Sequence, residues 1–370
     1  MTQKERFLAA LRLETPDAVP VSPLIHCRYA HTRLGRSDWR AVFELHRQIG
    51  SCHYRGPIGV GVDSELPDGW EHTSEVLLDQ GAHRVTRTTL RTPKGDLTST
   101  VERGYMPHDP LVSKTTEYYV KQPDDWRIII ELFERQAATA RPRPARAAQE
   151  AFELMGDDGV ASVGVGSAFH MVANQRGMQS LFYDFYDCPD LLGEAHRLAC
   201  DIQAKVIEAF LMTPSETIWY DICWATGMNL GPRLFDEWCG EELARMCALV
   251  RERPGKFISL YTLGRMREIM PTLMNARPHM IATFEPNEGD LTLREAKQLY
   301  GDRVCIMGNF DSVILAHGTL EEARAEAKRC LDEAMEGGGY IMTTGDEVPA
   351  DTKHENLEAI VDVVEEFGAY

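Results

Sequence analysis

Short apolar runs alternate with longer amphipathic stretches along most of the chain. The apolar runs are rich in β-branched residues and show no polar face, which is typical of parallel strands covered by helices. They lie at 18–25, 56–62, 160–165, 217–222, 257–261, 280–284, 304–307 and 340–342. Apolar positions at helical spacing predict helices at 4–13, 37–50, 178–185, 189–211, 232–251, 265–275, 291–300, 319–334 and 355–367. Eight strands, each followed by a helix or an insertion, predict an α/β fold, a single (β/α)8 TIM-type barrel over residues 1–370.

The segment 72–120 departs from this pattern. Residues 86–90 and 97–102 alternate polar and apolar positions on either side of a Pro-Lys-Gly turn. Such alternation is typical of an antiparallel hairpin with one exposed face. We therefore expect 72–120 to form a β-hairpin insertion outside the main sheet, with 117–120 as an edge strand and a helix that starts at Pro123.

The amino-acid composition, above all the net charge, indicates which classes of partner the chain can bind and says little about its fold. The 39 Lys and Arg against 57 Asp and Glu give a formal charge of −18. This charge argues against duplex nucleic acid and anionic membrane surfaces as partners, and it favours neutral or cationic ligands. No apolar run approaches the roughly 18 residues that a bilayer span needs, and the N-terminal stretch lacks a signal-peptide core, so we expect a cytoplasmic protein. The nine cysteines form no CxxC pair, which indicates neither a disulfide framework nor a zinc ribbon.

Polar side chains recur at the carboxyl ends of the predicted strands, where barrels of this type carry their chemistry. The residues that we predict to be catalytic are Glu285, Asp346, Asp221, His170 and Tyr261. Those that we predict to contact substrate are His26, Cys27, Cys223, Asn309 and Asp311. Asp63 and Glu347 also follow predicted strands. Each residue has a structural alternative, because acids and amides at such positions also cap helices or form Asx turns. The recurrence over several strands carries the prediction.

Glu285 is the strongest candidate for a general acid by position. It directly follows the apolar run 280–284 and precedes a proline. A carboxyl group in that setting is partly removed from water, which favours its protonated form and allows it to donate a proton. The alternative is a salt bridge to an arginine across the strand ends.

Short motifs in a fixed order resemble those of the uroporphyrinogen decarboxylase superfamily. The first are Glu-Arg-Phe-Leu-Ala-Ala-Leu at 5–11, Val-Pro-Val at 19–21, Thr-Pro-Lys-Gly-Asp-Leu at 92–97 and Pro-Asp-Asp-Trp at 123–126. They continue with Met-Gly-Asn-Phe-Asp at 307–311, Gly-Gly-Gly-Tyr at 337–340, Gly-Asp-Glu-Val-Pro at 345–349 and Glu-Asn-Leu at 355–357. Members of this superfamily are (β/α)8 barrels, so the resemblance implies the same fold as the strand count.

Within the superfamily, the chain resembles the corrinoid-dependent methyltransferases more than the haem-pathway decarboxylases. The decarboxylases carry an Arg-Gln-Ala-Gly-Arg-Tyr segment that grips the carboxylates of the porphyrinogen. Residues 26–33 of this chain read His-Cys-Arg-Tyr-Ala-His-Thr-Arg instead. An octa-anionic substrate is also a poor electrostatic match for a chain with a charge of −18.

The zinc positions of the family differ in this chain. Methyltransferases of the superfamily that act on thiols bind zinc through His-x-Cys-Gly and Gly-Cys-Glu motifs, often helped by an acid. Alignment on the glycines places Tyr261, Leu263 and Asp346 at those positions, with Asp221 as the acid. Such a set offers oxygen atoms and no thiolate. We therefore expect no metal, and in particular no thiolate-type zinc.

The resemblance implies a corrinoid-dependent methyltransferase. It would move a methyl group between a small methoxylated or quaternary-ammonium compound and the corrinoid (cobalamin) of a partner protein. Carboxylates together with His170 and Tyr261 suit demethylation, because the leaving group must be protonated or stabilised. Two alternatives stay open, namely a carboxy-lyase of the uroporphyrinogen decarboxylase type and a binding barrel that has lost its activity.

Overall fold

The computed structural model describes residues 1–54, 58–106 and 109–370. The chain forms two compact units. The first unit comprises Met1–Val60, Pro144–Gly166 and Ile207–Tyr370, and the second unit comprises Gly61–Arg143 and Ser167–Val206. Most of the predicted strand ends therefore lie in the first unit.

A six-stranded parallel sheet forms the centre of the first unit. Its strands, in spatial order, are Tyr340–Thr344, Cys305–Phe310, Met280–Thr283, Phe257–Tyr261, Thr217–Asp221 and Ser162–Gly166. Most of their residues are buried, which explains why these strands read as continuous apolar runs. The sequence predicts all six, and the parallel register places Asp221 opposite Tyr261.

The sheet has six strands rather than the predicted eight. Residues 18–25 do not form a regular strand, because their two prolines lack the N–H groups that a ladder requires. The segment makes one parallel bridge, from Val21 to Met342. On its other side, the Val21 carbonyl accepts a hydrogen bond of 2.8 Å from the Cys52 N–H. It therefore lies beside the last strand without extending the ladder.

The other missing strand, predicted at 56–62, divides between the two units. Part of this prediction falls on residues 55–57, which lie outside the described residues. Ile58 makes a parallel bridge with Val163 in the first unit. Gly61–Asp63 belongs to the second unit, where it pairs antiparallel with Arg141–Arg143. Contrary to the prediction, Asp63 does not end a parallel strand.

Helices accompany the sheet of the first unit. They are Gln3–Leu11, Cys27–Leu34, Trp39–Ile49, Arg146–Met155, Gly227–Arg251, Met270–Asn275, Leu293–Tyr300, Ser312–His317, Leu320–Ala334 and His354–Phe367. Several begin with a capping box, as at Thr319, whose hydroxyl accepts from the Glu322 N–H while the Glu322 carboxylate accepts in return. Among the helices of the described residues, none combines the length and the apolar character needed to cross a membrane.

Some helices of the first unit differ from the prediction. Those at Cys27–Leu34, Arg146–Met155 and Ser312–His317 are not among the predicted helices. Because of the first of these, His26 and Cys27 begin a helix instead of ending a strand. The helix predicted at 265–275 is shorter, and the one predicted at 232–251 begins earlier and is interrupted at Gly231, where φ is 64°.

Aromatic rings fill the interior of the first unit. The ring of Phe7 lies 4.6 Å from that of Tyr54, which lies 5.7 Å from Trp219. The ring of Trp219 lies 4.8 Å from that of Tyr261 at the carboxyl end of its strand. All four side chains are buried. We refer to these four residues as the aromatic column.

The second unit contains a four-stranded antiparallel sheet. Its strands are Glu71–Gln80, His83–Arg91, Leu97–Arg103 and Ser113–Glu117, in that order. The prediction of an antiparallel insertion is confirmed, but the edge strand ends at Glu117 rather than running over 117–120. The helices are Trp126–Thr139 after a 3₁₀ turn at Pro123–Asp125, then Ala168–Arg176, Met178–Asp187 and Pro189–Leu211, of which the residues from Ile207 belong to the first unit. The helix Ala168–Arg176 was not predicted.

Candidate functional site

Two strand ends of the first unit bring a tyrosine and an aspartate together. Tyr261 is the last residue of its strand, and its hydroxyl donates a hydrogen bond of 3.0 Å to Oδ1 of Asp346. Asp346 follows the strand Tyr340–Thr344 by two residues, and the same oxygen accepts 2.7 Å from the backbone N–H of Glu347. Two of the five predicted catalytic residues are therefore in direct contact.

The other rings of the aromatic column hold the ring of Tyr261 in position. Tyr261 is 5% exposed, and its ring packs against Trp219. A ring that is fixed on one side has few rotamers open to it, so its hydroxyl is held towards the carboxylate. The backbone of Gly345 adds a constraint, because a Cβ atom there would lie 2.6 Å from Cδ of Pro286. The position before Asp346 therefore requires glycine.

A histidine, a cysteine and a glutamate lie together next to Asp346. The Nδ1 atom of His26 is 3.6 Å from Oε2 of Glu347 and 3.0 Å from Sγ of Cys27. Backbone contacts between Leu24 and Val348 hold the two segments side by side. Burial, followed by the charge of Glu347, raises the pKa of the Cys27 thiol. This keeps the thiol protonated and unsuited to a nucleophile or a metal ligand.

Asp221 is the last residue of the strand that pairs with the Tyr261 strand, and Cys223 follows it by two residues. Oδ1 of Asp221 accepts 2.9 Å from the backbone N–H of Cys223, which is an Asx turn. Asp221 is half-buried and lies in register with Tyr261. Cys223 packs, together with Leu263, against the cluster of buried residues that contains Tyr261. These predicted residues therefore adjoin the Tyr261 strand.

Glu285 has a different environment from the one expected. Its carboxylate accepts from the N–H groups of Asn287 and Glu288 at 2.8 and 2.6 Å, and from Nδ2 of Asn287 at 3.0 Å. The same Nδ2 donates to Asp311 at 3.1 Å. Asp311 is the N-cap of the helix Ser312–His317. All these N–H donors engage Glu285 as an acceptor within its own turn, and its role as a general acid stays a prediction.

Asn309 lies inside the protein, with 2% of its surface exposed. Its Nδ2 donates to the Phe284 carbonyl, and its Oδ1 accepts from Arg329, both at 2.9 Å. Asn309 and Glu285 line a cavity of about 440 Å³ together with residues Arg267, Asp290, Glu295, Arg329 and Glu333. The hydrogen bonds give Asn309 a positioning role between two strands and a helix.

His170 lies in the second unit, on the helix Ala168–Arg176. Its backbone N–H donates 3.0 Å to the hydroxyl of Ser167, which caps this helix. The sequence places it correctly after the strand Ser162–Gly166, but the strand and the helix belong to different units. Its predicted catalytic role stays a prediction.

The sequence profile of uroporphyrinogen decarboxylase (URO-D) matches residues 159–367, which is more than half of the chain. The chain belongs to the uroporphyrinogen decarboxylase family. All six strands of the parallel sheet lie within the matched residues.

Curated uroporphyrinogen decarboxylases are similar over shorter stretches. The chain is 33% identical to that of Pseudoalteromonas translucida over 79 residues, which are 21% of this chain and 22% of that protein. It is 24% identical to that of Thioalkalivibrio sulfidiphilus over 186 residues, which are 50% and 51% of the two chains. The chain thus spans between about a fifth and a half of the length of these relatives.

A solved structure resembles the chain over nearly its whole length. The methyltransferase from Methanosarcina mazei superposes with a TM-score of 0.67, covering 99% of both chains at 17% sequence identity. At this identity the likeness shows the fold alone.

The zinc-ligand positions of thiol-activating family members hold a hydrogen-bonded pair and an apolar residue in this chain. Tyr261 donates its hydroxyl proton to Asp346, and Leu263 packs against buried apolar residues. These three side chains supply neither a thiolate nor an imidazole nitrogen, the donors that a zinc centre of that type uses. These three residues do not fit a thiolate-type zinc centre, and the expectation that the chain binds no metal stays a prediction.

Glu347 is the residue of this site that the sequence did not select. It follows a predicted strand, like Asp346, but a sequence alone does not show which of two adjacent acids points at a neighbour. The motif Gly-Asp-Glu at 345–347 of the uroporphyrinogen decarboxylase family contains both acids, and this motif is the signal that could have identified it.

Proposed function

We propose that this chain is a corrinoid-dependent methyltransferase. It removes a methyl group from a small methoxylated or quaternary-ammonium compound and passes it to the corrinoid of a separate protein. The observation that carries the proposal is the hydrogen bond between Tyr261 and Asp346 at the carboxyl ends of two strands. Family membership and the fold of the methyltransferase from Methanosarcina mazei support it.

The chemistry assigns separate tasks to these two residues. A reduced corrinoid held by a separate protein would supply the nucleophile that accepts the methyl group. When a methoxy C–O bond breaks, the electron pair stays on oxygen, and that oxygen needs a proton. In this proposal the carboxylic acid form of Asp346 donates it. The resulting carboxylate is stabilised by the Tyr261 hydroxyl and by the Glu347 N–H, which already donate to Oδ1.

The charge of the site favours neutral or cationic donors. Asp221 ends one strand of the parallel sheet, Asp346 and Glu347 follow another, and Nδ1 of His26 lies 3.6 Å from Glu347. A quaternary ammonium ion is attracted to such carboxylates and leaves as a neutral amine, so it needs no proton. A porphyrinogen with many carboxylates would be repelled by them.

Decarboxylation is the second candidate, because the curated relatives are uroporphyrinogen decarboxylases. That reaction releases carbon dioxide and leaves a carbanion, which a neighbouring cation or acid must stabilise. The two functions therefore differ in a measurable product.

The experiment incubates the purified protein with cob(I)alamin and a panel of methoxylated and quaternary-ammonium compounds. We expect at least one donor to convert the spectrum of cob(I)alamin to that of the methylated form, with equimolar demethylated product. Carbon dioxide from a carboxylated panel, without any change in the cobalamin spectrum, would support decarboxylation and exclude the methyltransferase.

The roles of the acids are tested by two matched variants. Removing a catalytic acid lowers turnover by about 10²- to 10⁴-fold, so we expect this loss in Asp346→Asn. Glu285→Gln is the control, because Glu285 only accepts from its own turn, and we expect it to keep most of its turnover. Melting temperatures separate loss of activity from loss of fold. Equal losses in both variants would contradict the assignment of Asp346.

A further inference from the structure

A cavity of about 700 Å³ opens where the parallel strands begin, at the end of the sheet opposite Tyr261 and Asp346. Phe257 is the first residue of its strand, and His279 immediately precedes the strand Met280–Thr283. Small-molecule sites have volumes of roughly 300 to 1,000 Å³. The cavity therefore has the size of a ligand site, and no residue discussed so far as catalytic lines it.

Positive charge is concentrated in this cavity. Its charged lining residues, apart from a histidine, are Arg12, Arg251, Arg277, Arg303 and Asp302. Asp302 lies 3.4 Å from Nε of Arg303, and Glu14 lies 3.9 Å from Nη1 of Arg12. In the described part of the chain, no carboxylate lies within 4.0 Å of the guanidinium of Arg251 or Arg277. In a chain with a net charge of −18, four arginines beside one lining aspartate are a local excess of positive charge.

Backbone carbonyl groups hold Arg251 in place without neutralising its charge. Nε of Arg251 donates to the Arg277 carbonyl at 2.5 Å, and its Nη2 donates to the Pro278 carbonyl at 3.2 Å. Burial, followed by the charge of Arg277, lowers the pKa of Arg251. Burial, followed by the charge of Arg251, lowers the pKa of His279 to about 4. Cations that are fixed close together in this way are stabilised by a bound anion.

The same cavity also offers hydrogen bonding and apolar surface. Nδ1 of His279 accepts 3.1 Å from the Ile258 N–H, so the neutral ring carries its proton on Nε2. The apolar lining consists of Leu11, Leu13, Phe257 and Met274. The guanidinium of Arg12 lies 5.8 Å from the centre of the Phe257 ring. Such walls suit a ligand with an apolar part as well as a charged one.

We propose that this cavity binds an organic phosphate, with the phosphate at Arg251 and Arg277 and the organic part against Phe257 and Leu13. Guanidinium groups match phosphate oxygens in charge and in geometry, because each presents paired N–H donors. The site is independent of the methyl-transfer proposal, since it lies at the other end of the sheet and its ligand takes no part in that reaction.

The test is calorimetric titration of the full-length protein with phenyl phosphate at low ionic strength. We expect saturable binding that weakens as salt is added. Arg277→Gln should weaken it by about tenfold or more, since it removes a charge-assisted hydrogen bond. This variant keeps the backbone carbonyl that accepts from Arg251. The matched control is Arg233→Gln, an exposed arginine of the same unit paired with Glu237, which should leave the affinity unchanged.

Hydrogen–deuterium exchange locates the ligand without a variant. We expect phenyl phosphate to protect peptides covering 251–257 and 274–280. No heat of binding at concentrations up to about 10 mM, protection elsewhere, or unchanged affinity in Arg277→Gln would overturn the proposal. Inorganic phosphate should bind more weakly, and equal affinity for it would overturn the assignment of an organic ligand.

Discussion

At the scale of single residues, the hydroxyl of Tyr261 and the carboxylate of Asp346 depend on each other. The ring of Tyr261 is buried against Trp219, and only its oxygen reaches the carboxylate. The contribution of the ring to stability and the contribution of the hydroxyl to chemistry are therefore separable, because phenylalanine preserves the first and removes the second.

Tyr261→Phe is expected to lower turnover in methyl transfer by about tenfold to a hundredfold, with a loss of stability of about 1 kcal/mol. The carboxylate loses one donor and so retains its proton to higher pH. The alkaline limb of the pH–rate profile should therefore move to higher pH, as measured by cobalamin spectroscopy over a pH series. A purely structural role for Tyr261 would change the melting temperature and leave the shape of the profile as it was.

At the scale of secondary-structure elements, polar residues after strands serve two purposes. Asp311 accepts from the N–H groups of Val313 and Ile314 and so begins the helix Ser312–His317. Asp346, in contrast, accepts from a side chain of another strand. Sequence position alone does not separate an acid that caps its own helix from one that contacts a side chain of another strand.

Asp311→Ala is expected to destabilise the folded protein by about 1 kcal/mol, because an N-cap is lost, and to leave turnover unchanged. Urea denaturation followed by circular dichroism measures the first effect, and the methyl-transfer assay measures the second. Thr292→Ala, which removes the cap of the helix Leu293–Tyr300, is the matched control. A loss of turnover in Asp311→Ala beyond that of the control would instead support the predicted contact with substrate.

The antiparallel sheet of the second unit contains a carboxylate that links its stability to pH. The hydroxyls of Thr98 and Thr100 each donate 2.7 Å to Glu117 and hold the pKa of its carboxyl at about 2, below the usual 4.5. A carboxyl whose pKa falls on folding stabilises the folded state while it is ionised. This contribution is complete at neutral pH and is lost as the pH falls from 4.5 towards 2.

Glu117→Gln is therefore expected to flatten the dependence of stability on pH in the acid range. Urea denaturation of both proteins between about pH 6 and pH 3 should show a difference that is largest at pH 6 and shrinks towards pH 3. Glu71→Gln, at an exposed position of the same sheet, is the control. A constant difference over the whole range would show that ionisation of Glu117 does not contribute.

At the scale of the whole molecule, the sequence predicted the sheet better than the site. The six parallel strands were recognisable because burial on both faces leaves an uninterrupted apolar run, as in Phe257–Tyr261. The segment 18–25 has the same composition, but its prolines cannot join a ladder. The helix Cys27–Leu34 was missed because its arginines obscure the apolar spacing.

The site was predictable in part. Tyr261 and Asp346 are 85 residues apart in the chain, and only the rule that parallel strands end at one edge brings them together in a prediction. The Glu285 carboxylate accepts three hydrogen bonds from the turn that follows it. That turn depends on backbone geometry, which cannot be derived from the amino-acid sequence alone. The role of Glu285 was for this reason beyond a sequence argument.

The net charge predicts a property of the whole chain. With −18 at neutral pH, the folded state carries self-repulsion that salt screens over roughly 10 Å at 0.1 M. We expect the melting temperature, measured by calorimetry, to rise as sodium chloride is increased from about 20 to 200 mM. The rise should shrink at lower pH, where carboxylates gain protons. A melting temperature that falls with salt would indicate that attractive ion pairs dominate instead.

The aromatic column restricts the diffusion of small molecules through the first unit. Its four rings pack against one another in tilted and edge-on contacts, and they fill the space between the cavity beside Phe257 and the hydroxyl of Tyr261. A molecule admitted beside Phe257 cannot diffuse through to Tyr261, although both residues belong to one five-residue strand. Reactant and product at Asp346 must therefore enter and leave from the carboxyl ends of the strands. An effect of a ligand in the arginine-lined cavity on Asp346 would have to be transmitted by a displacement of the strand Phe257–Tyr261.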